Sequence, residues 1–221
     1  MKSIFYFLSI LSLLSCERKT SNLELENTII DELFVAMVDS IHKDNRIYLN
    51  FPPIPERIYD KKGNLINIDS TQYKKEIVTY NAEIEKIKKD TSKLPMTVSK
   101  ELYFPSEYSL ESIKKYFKSN ALKIDTTNTE TNTIIIEKFK KNPKFNFSYT
   151  KKDETPQDRY LRVEPYSIVS FSKIIFDESK NTAVLIGSYS CGGKCGLGYL
   201  IILHKKDGKW KIKQIEDLWI S

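Results

Sequence analysis

Two cysteines close to the C-terminus offer the most specific chemistry in this sequence. Cys191 and Cys195 are separated by Gly192, Gly193 and Lys194, within the stretch GSYSCGGKCGLGYLIIL. Thiols at this spacing can hold a metal ion, act as a redox pair or close a structural disulfide, and the glycines invite comparison with a phosphate-binding loop. The choice depends on the cellular compartment and on the elements that position the two thiols.

Three of these interpretations fit the residues poorly. A zinc site needs three or four ligands, and the only histidines are His42 and His204. A thioredoxin-type site has C-x-x-C at the start of a helix, whereas the spacing here is C-x-x-x-C inside a predicted hairpin. A P-loop requires Ser or Thr after its lysine and a helix beyond, but Lys194 is followed by Cys195 and a predicted strand. We therefore assign no catalytic, metal-binding or cofactor-binding residue.

The N-terminus predicts export. Lys2 is followed by an almost unbroken apolar run from Ile4 to Leu14. The run is far shorter than the ~20 residues that a membrane-spanning helix needs. It is typical of a secretory signal, which we assign to residues 1–15 and leave out of the folded protein.

The end of this run is more specific. Residues Leu13, Leu14, Ser15 and Cys16 resemble the lipobox of bacterial lipoproteins. The resemblance implies cleavage after Ser15, thioether lipidation of Cys16 and acylation of the new terminus, with palmitate as an expected acyl group. Residues 16–21 would form a short lipidated tether, and the partner it implies is the membrane. An ordinary signal peptide that happens to contain a cysteine is the alternative.

The net charge is +6 at pH 7, and removing the single charge of Lys2 leaves +5 on the mature chain. A sequence pI near 9.0 is compatible with nucleic-acid binding. However, the lysines alternate with acidic residues, as in residues 74–89, and no basic stripe carries interleaved aromatics. We expect a solvated charged surface and no nucleic-acid partner.

The first part of the mature chain predicts helices. Apolar residues from Leu25 to Ile41 recur at helical spacing, and similar stripes predict helices near residues 70–90 and 109–118. Residues 133–139 begin with four β-branched residues and predict a strand. Residues 119–165 otherwise give a weak signal.

Two further segments precede the second helix. FPPIPER (51–57) is punctuated by prolines and is expected to be extended. DKKGN (60–64) is typical of a turn with Gly63 at the tight position.

From Ser167 onward the sequence predicts strands. Four β-rich runs are separated by the short connections DESKN, GGK and KDG, which predicts a four-stranded antiparallel meander. Helices followed by a meander indicate a single α+β domain over residues 22–221.

This C-terminal pattern resembles a family of uncharacterised bacterial envelope lipoproteins. The matching residues are the Cys/Gly hairpin at 191–196, the DGKWKI segment at 207–212 and the terminal WIS at 219–221. The resemblance covers roughly the last fifty residues and implies no catalytic residue.

A structural disulfide is the interpretation that we favour for the cysteine pair. Export places the chain where disulfides persist, and use of Cys16 for lipidation leaves an even pair. In a hairpin with a three-residue loop, Cys191 and Cys195 would face each other within disulfide range. Reduced, inert thiols are the alternative.

The same register opposes Tyr189 with Leu197, Gly187 with Tyr199, and Leu185 with Ile201. That face is continuously apolar, and Tyr199 is expected to cover Gly187. The opposite face near the tip carries only small residues, which favours close approach of another backbone over a ligand site. The small residues are Ser188, Ser190, Gly196 and Gly198.

The sequence therefore favours a lipid-anchored protein of the cell envelope, facing the periplasm or the cell surface. Its role would be that of a binding or structural module for an unknown protein or small molecule, and not of an enzyme. The alternative is an envelope thiol oxidoreductase or hydrolase that uses the Cys191 region. A rapidly alkylated thiol with a low pKa would favour that alternative.

Overall fold

The computed structural model describes residues 21–48, 50–117, 132–150, 167–192 and 195–220. The predicted signal and most of the predicted tether, residues 1–20, lie outside the described residues. The described part has helices in its N-terminal portion and a largely antiparallel sheet in its C-terminal portion, so the predicted α+β class is confirmed.

The helices are α1 (Asn22–Ile41), α2 (Asn45–Tyr48), α3 (Ser70–Lys89) and α4 (Glu107–Lys114), and a short 3-10 helix covers Ile136–Phe139. The strands are β1 (Glu56–Tyr59), β2 (Leu65–Asp69), β3 (Leu94–Val98), β4 (Phe145–Tyr149), β5 (Ile168–Phe171), β6 (Ile175–Phe176), β7 (Thr182–Gly192), β8 (Cys195–Lys206) and β9 (Lys209–Ile220).

Helix α1 begins at a capping box. The Ser21 hydroxyl accepts a hydrogen bond from the Glu24 amide, while the Glu24 carboxylate accepts one from the Ser21 amide, so two of the unpaired amides at the helix start are satisfied. The helix ends where His42 turns to an extended conformation. Its apolar stripe is buried, which confirms the predicted helix and its core-facing side; the fully covered members include Ile29, Phe34, Met37, Val38 and Ile41.

Strands β5, β7, β8 and β9 form the predicted antiparallel meander, with the short strand β6 also paired to β7. The first predicted run is divided into β5 and β6. Two strands on the other side of β5 were not expected. Strand β3 pairs in parallel with both β4 and β5, so the sheet has the order β4-β3-β5-β7-β8-β9.

The sheet is covered on both faces. The main core lies between α1 and one face, where Phe34 packs against the rings of Phe139, Phe147 and Phe171 at centroid distances of 4.6, 5.1 and 6.0 Å. A smaller core lies on the other face beneath α4, and its centre is Ile113. Strands β7 and β8 are therefore buried on both sides at their base, as their apolar runs predict.

Residues 50–90 connect α2 to β3 and belong to neither core. We call this segment the excursion: it contains the two-stranded hairpin β1–β2, the turn at 60–64 and helix α3. Gly63 has φ of 84°, which confirms the predicted turn. Helix α3 forms as predicted, but only Ile84 in its apolar stripe is buried.

Two element predictions need correction. The strand expected at residues 133–139 is wrong: Thr133 makes one isolated bridge with Glu101, and a 3-10 helix begins at Ile136. The Tyr149 hydroxyl donates to the Ile134 carbonyl at 2.8 Å and accepts from the Ile136 amide at 3.1 Å. These two backbone groups therefore bond to a side chain and not to a neighbouring strand. The helix expected at 109–118 instead spans Glu107–Lys114, and it begins at Glu107 because the Ser106 side chain caps it by accepting from the Ser109 amide.

Candidate functional site

The β7–β8 hairpin confirms most of the predicted register. Tyr189 opposes Leu197, Gly187 opposes Tyr199, and Leu185 opposes Ile201. Their shared face lies in the main core, as the apolar pattern indicates. The space above Gly187 is closely packed. A Cβ atom there would lie 2.8 Å from the Ile41 Cδ1 atom and 2.9 Å from that of Ile201, so these two side chains lie against the glycine.

The register changes at the tip of this hairpin. Gly192 opposes Cys195, and a register shift between Ser190 and Gly192 leaves Cys191 as an extra residue. The predicted direct opposition of the two cysteines is therefore wrong. Their Cα atoms nevertheless lie 5.2 Å apart, which is disulfide distance.

Both cysteines lie within strands and not at the start of a helix. A helix N-terminus is one of the features that lower the pKa of reactive thiols. Cys191 is 6% exposed and belongs to the main core, while Cys195 is partly buried against it. This geometry offers a nucleophile little access to substrate.

A buried polar cluster lies two residues from Cys191. The Tyr189 hydroxyl donates to the Lys43 carbonyl at 2.6 Å, lies 2.9 Å from the Ser167 hydroxyl and also contacts the Asn45 side chain. Burial raises the pKa of Tyr189 to about 12, so the hydroxyl stays neutral in ordinary conditions. The cluster ties the β7–β8 hairpin to the corner between α1 and α2.

A cavity of about 70 Å³ lies beside this cluster, between residues 42–46, residues 94–96 and Ser167. An open groove of about 510 Å³ adjoins it, between the same corner, the end of α3 and residues 143–144. Arg46 lies in both, and its guanidinium is 2.8 Å from Asp44 and 2.5 Å from Asp90. Burial lowers the pKa of His42 and so disfavours its charged form. The Arg46 charge is compensated by Asp44 and Asp90.

The other face of the hairpin tip is also filled. Ser170, Ser188, Gly198 and Trp219 form one transverse row across four neighbouring strands. A Cβ atom on Gly198 would overlap the indole ring of Trp219. At Gly198 the predicted close approach is therefore made by a side chain and not by a backbone.

A buried carboxyl group was not recognised from the sequence. Glu26 accepts hydrogen bonds from the Ile174 amide at 2.7 Å and from the Asn132 side-chain amide at 2.5 Å. Burial raises the pKa of this carboxyl, although the two hydrogen bonds and the charge of Lys173 oppose the shift. Glu26 therefore joins α1 to two distant chain segments, and its charge is disfavoured.

No protein family model, curated protein or solved structure matches this chain. Across the part of the chain that the structure describes, no three His, Cys, Asp or Glu side chains cluster as they would around a metal ion. The described helices include none with the length and hydrophobicity of a membrane span.

The excursion carries the most exposed apolar surface of the described residues. On the hairpin, Tyr59 opposes Leu65 and Arg57 opposes Ile68, so these four side chains share one face. All of them are exposed. Other large apolar side chains are exposed nearby: Phe51, Ile54, Ile58, Ile66 and Val78. The sequence predicted an extended segment at 51–57 and a turn at 60–64, but it predicted neither the hairpin nor its exposure.

Proposed function

We propose that this protein is a lipid-anchored binding module of the cell envelope, held to the membrane through Cys16 and facing the periplasm or the cell surface. The observation that supports a binding role is the exposed apolar surface of the excursion. Soluble proteins rarely expose contiguous apolar patches larger than a few hundred Å², and larger patches often mark interaction sites.

The hairpin itself supports this interpretation. A two-stranded hairpin alone is marginally stable in water, and it normally needs a third strand or a packed helix. Strands β1 and β2 pair only with each other among the described strands, and their side chains are exposed. A partner that covers this surface would supply the missing contacts.

The anchor rests on the lipobox-like residues Leu13–Cys16. Two or more acyl chains hold a protein stably on a membrane, at about 0.8 kcal/mol per buried CH₂ group, whereas a single chain binds marginally. The basic residues Arg18 and Lys19 follow the anchor directly and would add weak attraction to anionic lipid.

The cysteine pair fits a structural role in this proposal. An exported chain meets an oxidising compartment, and the two Cα atoms lie within disulfide range. We propose that Cys191 and Cys195 form a disulfide that closes the tip of the β7–β8 hairpin.

Metabolic labelling with an alkyne fatty acid tests the anchor. The wild-type chain should incorporate the label, and Cys16→Ala should lose it. The double variant Cys191→Ala/Cys195→Ala is the matched control, because it removes the other two cysteines and should keep the label. Equal labelling of wild type and Cys16→Ala would contradict the proposal.

A further inference from the structure

We infer that the partner covering the apolar face of the β1–β2 hairpin is the membrane interface itself, so that the protein contacts the bilayer at two places. This inference rests on the proposed lipid anchor. The hairpin face in question consists of Arg57, Tyr59, Leu65 and Ile68.

The length of the tether places the bilayer within reach. Cys16 is separated from the first helical residue, Asn22, by five residues, which span at most roughly 17 Å when extended. Helix α1 has 20 residues and is therefore about 30 Å long. The anchor lies before one end of α1, and the excursion begins soon after the other end. When α1 lies along the membrane, the anchor at one end of the helix and the start of the excursion beyond the other end are both close to the bilayer.

The composition of the hairpin face suits the boundary between headgroups and acyl chains. Tyrosine has an apolar ring and a polar tip, and it is enriched at that depth in membrane proteins. Arginine can bury its aliphatic stem while its charge remains among the headgroups. Leu65 and Ile68 supply the aliphatic contact, and Lys61 and Lys62 in the turn are exposed and basic. Such amphipathic surfaces bind in proportion to the apolar area buried and to their attraction for anionic lipid.

Strand addition by a second chain is less well supported. The β1–β2 ladder has a register shift between Ile58 and Tyr59, where Ile66 is the extra residue. A bulge of this kind bends the strand and hinders regular pairing at its edge. The face of the hairpin, and not its edge, is therefore the surface offered to a partner.

A fluorescence measurement on the full lipidated chain tests the inference. The chain would be reconstituted into vesicles of phosphatidylethanolamine and phosphatidylglycerol, with an NBD probe on Leu65→Cys. The control site is Tyr108→Cys, in α4 on the opposite face of the sheet from α1, where the native side chain is also exposed. The unsubstituted chain gives the background labelling of the native cysteines.

The probe at residue 65 should shift to shorter wavelength and lose emission when lipids carry nitroxides on their acyl chains. The probe at residue 108 should not differ from background. Ile68→Asp should abolish the response at residue 65, whereas Ile58→Asp should preserve it. Ile68 and Ile58 are 44% and 43% exposed but lie on opposite faces of the hairpin.

The outcomes separate this inference from the anchor. A chain that fails to float with the vesicles contradicts the anchor. A chain that floats but shows no nitroxide quenching at residue 65 overturns the inference alone. A wavelength shift without quenching would indicate cover by protein, such as a second copy, and would also overturn it.

Discussion

The β7–β8 and β1–β2 hairpins of this protein differ in what covers their apolar side chains. Strands β7 and β8 are long, lie at the centre of the sheet and are buried on both faces along most of their length. Strands β1 and β2 are short, pair with no other strand among the described residues and expose their apolar side chains. Both hairpins are rich in β-branched and apolar residues, so composition alone does not distinguish them.

The difference lies in what covers each hairpin. Helix α1 covers one face of β7–β8, and α4 with Trp219 covers the other. In the described chain no comparable layer covers β1–β2. The β7–β8 hairpin is covered by other parts of the same chain. In our proposal, the β1–β2 hairpin is covered by the membrane that the lipid anchor brings close.

Matched leucine substitutions should show the largest contrast. Leu185 is fully buried and Leu65 is 51% exposed. Leu185→Ala should lower the free energy of unfolding by about 2–5 kcal/mol, because it leaves a cavity in the core. Leu65→Ala should change it by no more than about 0.5 kcal/mol. Urea unfolding of both variants measures the difference, and comparable losses would contradict the assigned burial.

Removal of the proposed disulfide should have a smaller effect. Replacing Cys191 and Cys195 with serine should lower stability by at most about 2–3 kcal/mol, because a short ring constrains little unfolded-chain entropy. A thermal melt of the double variant measures this loss, and failure to fold would contradict it. Non-reducing peptide mapping of the wild type should find the two cysteines joined; two freely alkylated peptides would refute the bond.

Gly198, near the tip of the β7–β8 hairpin, should tolerate a larger side chain only if Trp219 is removed. Gly198→Ala would displace the Trp219 indole and should lower stability by about 1–3 kcal/mol through overpacking. The same substitution in a Trp219→Ala background should have a much smaller effect, which a double-mutant cycle measures. Additive losses would show that the ring does not limit the space at Gly198.

Gly63 in the exposed hairpin provides the comparison. Its surroundings are open, but φ is 84°. Gly63→Ala should therefore cost about 1 kcal/mol through backbone strain, and Trp219→Ala should leave that cost unchanged.

The buried carboxyl group predicts a modest dependence on pH. Burial raises the pKa of folded Glu26 above its ordinary value near 4.5. The stabilising contribution of this shift is fully present below the unfolded pKa and is lost as the pH rises through the folded pKa. Relative to Glu26→Gln, the wild type should therefore gain stability on acidification across this window. Unfolding curves at several pH values measure the difference, and a constant difference would contradict the burial of this group.

The spacing of apolar residues and the turn residues predicted those elements that depend on residues close together in the chain. The apolar stripe of α1 and the three short connections of the meander follow from spacing and turn chemistry, and so does the register from Leu185 to Tyr189. The register at the tip of this hairpin was predicted wrongly. Cys191 is an extra residue on β7 that moves the two cysteines out of direct opposition, and no pattern in the sequence indicates it.

Contacts between distant segments could not be inferred in the same way. The parallel pairing of β3 with β4 and β5 joins segments that no short turn connects. The β-branched run at 133–136 makes only local backbone pairing, with the Ile134 amide donating to the Lys100 carbonyl, and it stops there because the Tyr149 hydroxyl bonds the Ile134 carbonyl and the Ile136 amide. Trp219 covers Gly198 only through the register of β8 with β9, which contains two shifts.

Hydrogen–deuterium exchange on the lipidated chain bound to vesicles tests the contrast between the hairpins most directly. Residues 56–69 should exchange more slowly in the wild type than in Ile68→Asp, because the bilayer covers the hairpin only in the wild type. Residues 182–206 should be equally protected in both. Fast and equal exchange of residues 56–69 in the two proteins would show that nothing outside the chain completes this hairpin, and would contradict the account.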